Sequence, residues 1–162
     1  MSGDYDVAVH NARVFADSGQ VPDNITTGKA VKYMKERGVW NSLGECWIPS
    51  QGVNIDGNNY ASKLYGLKAI HDLAQSTQTA QPVYSDGGLV FDGVDDRFVK
   101  FLTKAQVLEL TSSGSFTMSV NYIIPQLENN ITKQFFNLIF DANNSPTPCL
   151  SMRTMKFLYA PA

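Results

Sequence analysis

Apolar positions fall into two regimes along this chain, a helical spacing over the first forty residues and a strand-like spacing after them. Tyr5, Ala8, Val9, Ala12 and Phe15 recur on one helical face, with Asp4 and Asp6 near the start, which predicts a helix from about 4 to 17. Val7 and Val9 would also suit a strand, but Asn11 breaks that alternation. Asp17-Ser18-Gly19 ends the helix, and Val21-Pro22-Asp23-Asn24 opens a second one over 24–37. Its apolar stripe is Thr27, Ala30, Val31 and Met34, with Lys35 and Arg37 in the last turn and Gly38 as the C′ residue. The expectation is an N-terminal helical hairpin.

Residues 88–101, GLVFDGVDDRFVKF, contain two short apolar segments, Leu89 to Phe91 and Phe98 to Phe101. Asp92-Gly93 between them supplies turn chemistry, so a hairpin pairing these segments is expected. In 114–122, Phe116, Met118, Val120 and Tyr122 alternate with Ser115, Thr117, Ser119 and Asn121, which describes a half-buried strand. Phe135, Phe136, Leu138, Ile139 and Phe140 predict a strand buried on both faces, and Met155 to Tyr159 a last strand. Lys104 to Leu110 reads as one short helical turn. Residues 50–62 and 74–82, together with Asn143 to Pro148, read as loops. Trp40 and Trp47 sit in the densest aromatic segment before residue 80 and are expected to anchor the helical hairpin on the β region.

Composition narrows the classes. A chain of 162 residues suits one domain, or a sandwich with a helical appendage. The formal net charge of −2, with dispersed Lys and Arg, argues against nucleic acid or an anionic membrane as the main partner. No apolar run is long enough to span a bilayer. The acidic start, MSGDYDVAVHN, lacks the features of a secretory signal, so synthesis in a cytoplasm is expected. Cys46 and Cys149 then read as reduced, buried small hydrophobes rather than a disulfide. There is no CxxC or His-x-x-His spacing, and His10 and His71 lie far apart, which leaves no zinc pattern.

The order G-G-x-x-F-D-G-x-D-D-x-[FY]-V, then about fifteen residues, then G-S-F-T-[MI]-S-V, resembles the LamG-like, concanavalin A-like jelly-roll family. A helix, then Gly-[VIL]-Trp-x-x-Leu, then a short strand with an aromatic and Pro, resembles the N-terminal half of many bacteriophage virion proteins. Lys63 to Leu67 and Asp72 to Gln78, ending in Gln81-Pro82-Val83, fit the same pattern, so the resemblance runs from about 4 to about 124. It implies a mainly β chain with a helical hairpin over 1–40 as docking segment and a jelly-roll-like antiparallel β-sandwich over 41–162. Fewer candidate strands lie between the signature segment and Ala162 than such a sandwich needs. Cover for the 155–159 edge is therefore expected from a partner chain or further sequence, in preference to a self-contained, abbreviated sandwich.

Chemistry is sparse. Asp92, Asp95 and Asp96 offer hard oxygen ligands of the kind calcium takes, with Asp141, Asn143 and Asn144 as further candidates. The EF-hand spacing is absent, however, and the same residues serve a turn and a strand cap. Sandwich hydrolases of the resembled fold carry E-x-D-x-x-E along one strand, whereas Glu36, Glu45, Glu109 and Glu128 are each isolated here. No G-x-S-x-G elbow occurs, and Gly57, Gly87, Gly88 and Gly93 make no phosphate fingerprint. The sequence therefore assigns no catalytic, cofactor-binding or metal-ligating residue and no cofactor. The expected function is a non-enzymatic structural component of a phage particle (tail, fibre or capsid decoration). Its expected partners are other virion proteins and copies of itself. The alternative is a lectin-like module for a host-surface glycan, with Tyr60, Tyr65 and Tyr84 as candidate stacking rings.

Overall fold

The computed structural model describes residues 3–69, 71–92, 94–101 and 106, and the strand segments 132–134, 137–139, 149–152 and 155–156. Two helices come first, α1 (Gly3–Ala16) and α2 (Asn24–Glu36). Asp23 caps α2, its carboxylate accepting the Thr26 N–H at 2.9 Å. At the other end Gly38 takes a φ of +72°, the left-handed stop its position predicts. The stripe on α2 also faces inward as expected, with Thr27 and Val31 buried and Ala30 and Met34 half-buried.

α1 is turned the other way. Ala8, Val9, Ala12 and Phe15 are exposed, Phe15 by 59 %, while His10 and Val14 are buried and Val7, Asn11 and Arg13 half-buried. The spacing located the helix but not its inward side, because that side is largely polar and finds polar partners far along the chain.

The strands are β1 (Val53–Ile55), β2 (Ala61–Leu64), β3 (Leu73–Ala74), β4 (Val83–Ser85), β5 (Gly88–Val90), β6 (Phe98–Phe101), β7 (Thr132–Gln134), β8 (Asn137–Ile139), β9 (Cys149–Met152) and β10 (Met155–Lys156). β1-β2-β3-β6-β9-β8 form a six-stranded sheet, and β4-β5 and β10-β7 form two-stranded ones, every pairing antiparallel. The chain is thus mainly β with an N-terminal helical part. Gln20, just after α1, bridges to Val53 through reciprocal bonds of 2.7 and 3.0 Å, so the helical segment meets the sheet at β1.

Two sequence expectations change here. The 50–62 segment, read as a loop, is a short 3-10 turn followed by the β1–β2 hairpin. Gly57, Asn58 and Asn59 make the connecting turn, where the Asp56 carboxylate accepts the N–H groups of Asn58 and Tyr60 at 2.8 and 3.0 Å. The expected hairpin around Asp92-Gly93 is not formed either. Leu89 and Val90 pair instead with Tyr84 and Val83 across Asp86-Gly87, which both have positive φ (+51° and +79°). That two-residue loop fits the twist of the flanking strands. Phe98–Phe101 pairs with β3 and β9.

The apolar core consists of Val53, Ala61, Leu64, Leu73 and Phe98. Tyr84 and Leu89 of the β4–β5 hairpin pack on it, together with Trp47, Ile55 and Phe91. Residues 74–82 form a largely exposed polar connection in which Gln75, Ala80, Gln81 and Pro82 are buried. There the Gln75 amide bonds the Arg97 carbonyl and the Thr77 N–H, and the Gln81 amide bonds the Gln75 carbonyl. The expected strand at 114–122, the helical turn at 104–110 apart from Gln106, the loop at 143–148, and residues 135, 136, 140 and 157–159 lie outside the described residues.

Candidate functional site

The densest polar constellation among the described residues is the seam where α1 meets the sheet. Arg13, one turn from the end of α1, donates from Nη1 to both carboxylate oxygens of Asp72 at 2.8 and 2.7 Å, and from Nη2 to the Gly66 carbonyl at 2.6 Å. Asp72 also accepts the Gly66 N–H at 3.0 Å and pairs with Lys63 at 3.3 Å. Lys63 reaches Asp17 at 2.7 Å, and the Tyr65 hydroxyl donates to the same carboxylate at 2.8 Å. Tyr65 is buried, and the Arg13 and Lys63 cations lie 5.4 and 4.8 Å from its ring centroid. Gly19 leaves the space for this ring, since a Cβ there would meet it at 2.6 Å.

Electrostatics follows the geometry. Burial alone would raise the pKa of Asp72, but the Arg13 bonds, the Gly66 N–H and the charges of Arg13 and Lys63 outweigh it and hold the carboxyl below its ordinary range. Asp17 is likewise lowered, by its bonds to Lys63 and Tyr65. His10 is 2 % exposed, with Nε2 at 2.6 Å from the Gln51 carbonyl. A carbonyl oxygen only accepts, so Nε2 carries the proton.

Behind the seam, the Glu45 carboxylate accepts the N–H groups of Cys46, Lys68 and His71 at 2.9, 2.8 and 3.0 Å, which shapes the 66–71 loop. Trp47 donates its indole N–H to the His71 carbonyl at 2.6 Å and bridges to Gly66. The Trp40 carbonyl takes the Lys68 ammonium at 3.0 Å, and its ring lies 5.8 Å from both Lys35 and Lys68. Trp40 thus ties α2 to Lys68 of the β region, as the sequence suggests, whereas Trp47 is held by His71, Gly66 and the apolar core of the β region itself. Lys35 also pairs with Asp6, which joins α2 to α1.

The sequence-predicted site residues are placed as follows. Asp92, Asp95 and Asp96 do converge, with carboxylate oxygens within 4.8 Å of one another, the first two exposed and Asp96 buried. Asp96 accepts the Asp92 N–H at 2.8 Å and Asp92 accepts that of Val94 at 2.8 Å, which is the turn-closing role. Burial, with the charges of Asp92 and Asp95 against only one hydrogen bond, raises the Asp96 pKa. Asp141, Asn143 and Asn144 are outside the described residues.

Of the candidate stacking rings, Tyr65 is buried in the seam, Tyr84 packs on the apolar core and Tyr60 is half-buried. Cys46 is a free thiol, half-buried rather than buried as the sequence suggests, and partial burial raises its pKa. The seam had no advance signal in the sequence, since Arg13 and Asp72 are 59 residues apart and His10 and Gln51 are 41 apart. Among the described residues no helix is long and apolar enough to cross a membrane. Comparison with protein families, with curated proteins and with solved structures finds no match.

Proposed function

We propose that the protein is a non-enzymatic structural component of a bacteriophage particle, a tail, fibre or capsid-decoration protein. In this reading a jelly-roll-like β-sandwich projects from the particle and the helical hairpin docks on a neighbouring virion subunit. The observation that carries it is the outer side of that hairpin. Val9, Phe15, Ile25 and Tyr33 are 47, 59, 73 and 57 % exposed there, while the inner side is already held by the seam. A two-helix unit with large apolar side chains turned to solvent is suited to association through that unit. The β4–β5 hairpin packed on the core and the motif at residues 88–101 support the sandwich part of the reading, and the order of motifs from the helices through Gly38-Val39-Trp40 and Leu43 to that sandwich supports its virion part.

The test is mass spectrometry of purified particles of the phage that encodes the chain, followed by incorporation of the double variant Phe15→Ser, Ile25→Ser. The chain is expected in the particle fraction in stoichiometric amount. The variant is expected to fold, as judged by circular dichroism, but to be lost from particles. Absence of the unaltered chain from particles overturns the proposal. Retention of the variant overturns the docking role of these two side chains.

A further inference from the structure

His10 is a buried titratable group for which the proposed function has no use. Its Nε2–H is committed to the Gln51 carbonyl, while Nδ1 is buried with no hydrogen-bond partner. In the neutral ring Nδ1 is a bare lone pair, which costs little to bury. In the protonated ring it is an N–H donor carrying charge, with no acceptor facing it. We propose that His10 is a proton-sensitive latch, holding α1 against the β1–β2 hairpin at neutral pH and releasing it on acidification.

The surroundings decide the sign. On its own helix the charge nearest in effect is Arg13, which repels a second cation. From the β1 side come Gln51 and Gly52, with no titratable group, and a Cβ on Gly52 would stand only 3.1 Å from His10 Nε2. From the end of β2 comes Tyr65, whose hydroxyl is bonded to Asp17. The loops after Gly38 and Gly66 bring the carboxylates of Glu45 and Asp72, which favour the charged ring. Glu45 is engaged with three backbone N–H groups and Asp72 with Arg13. The buried positions of α2, Thr27 and Val31, do not titrate.

Burial is the largest influence and lowers the His10 pKa. The Gln51 bond and the two carboxylates offset part of it, and Arg13 adds to it. A histidine with a lowered folded pKa contributes stability that is present above its unfolded value of about 6.5 and is lost as pH falls towards the folded value.

The experiment follows melting temperature and backbone deuterium uptake of the whole chain from pH 7.5 to 5.5, with His10→Gln as comparison. Gln keeps a donor for the Gln51 carbonyl and takes up no proton, and His71 is left in place. The unaltered protein is expected to lose up to roughly 4 °C, since pH 5.5 lies about one unit below the unfolded histidine value and the effect in this window is capped at about one tenfold step. Uptake should rise first in α1 and at Gln20 and Val53. In His10→Gln the part of the pH slope due to His10 should be lost, leaving what the other titratable groups contribute. An unaltered protein with no slope, or a variant with the original slope, overturns the latch. Should His10→Gln fail to fold, an imidazole proton titration of the unaltered protein decides instead. A midpoint below the ordinary histidine value supports the latch, and one at or above it overturns it.

Discussion

Two parts of the interior are held by different physics. Under the sheet, Val53, Ala61, Leu64, Leu73 and Phe98 form a dry cluster whose strength is area removed from water. Under α1, His10, Arg13, Asp17, Lys63, Tyr65 and Asp72 form a seam of directed bonds, with Val14 as its apolar filler. The cluster tolerates any pH at which the chain stays folded, whereas the seam depends on the ionisation of Asp17 and Asp72 and on a neutral His10. The contrast teaches where this chain can be regulated. A helix docked by charge geometry can be released by a proton, and a strand docked by burial cannot.

Phe98→Ala should show the largest effect. The ring is fully buried between strands, and its removal is expected to cost about 3–5 kcal/mol, the transfer of the ring plus the cavity it leaves. Urea denaturation is the measurement, and the loss should be the same at pH 7 and pH 4. A loss that shrinks in acid would mean that the sheet and the seam do not unfold as separable contributions.

Asp72→Asn breaks the comparison from the other side. Arg13 and Lys63 lose their shared carboxylate while still partly buried, at side-chain exposures of 27 and 31 %. Solvent reaches both cations, so the cost is placed at about 2 kcal/mol near pH 7, below that of a fully buried pair. Because the folded pKa of Asp72 is lowered, its contribution is present above the ordinary carboxylate range and lost as pH falls through the folded value. The gap between variant and original should therefore narrow as pH falls below the ordinary carboxylate range, as read from urea midpoints in a series from pH 7 downward. A gap that stays constant across the whole series would mean that Asp72 acts through shape alone.

The same division explains what could be read from the sequence. Both helices were legible, α1 from its helical spacing and the Asp17-Ser18-Gly19 stop, α2 from Asp23, Gly38 and a local apolar stripe. The inward side of α1 was not, because Ala8, Val9, Ala12 and Phe15 of its predicted stripe face solvent and its docking is made by His10 and Arg13 with residues 41 and 59 positions away. Asp-Gly occurs at 56–57, 86–87 and 92–93, and the dipeptide alone does not say which closes a two-residue hairpin. Val83 to Ser85 and Gly88 to Val90 are in register around Asp86-Gly87, whereas Asp92 turns back to the Asp96 carboxylate. Periodicity reads local order well, and it is silent on polar contacts made across the chain.

The smallest expected effect sharpens the comparison by touching the seam without touching a charge. Asp72 is delivered by the loop after Gly66, and in that loop Ala69 has a φ of +60°. The left-handed region costs an L-residue roughly 1–2 kcal/mol, a strain that Glu45 maintains by gripping the N–H groups of Lys68 and His71 on either side. Ala69→Gly removes the strain and adds roughly 0.5–1 kcal/mol of unfolded-chain entropy, so a net gain of about 0.5 kcal/mol is expected. Calorimetry should show a melting temperature higher by about 1–2 °C, by the same amount at pH 7 and pH 5.5. A gain that varied with pH would mean that the loop's backbone, and not its charges alone, sets the protonation state of the seam. A lower melting temperature would mean that the alanine methyl makes a contact worth more than the strain it imposes.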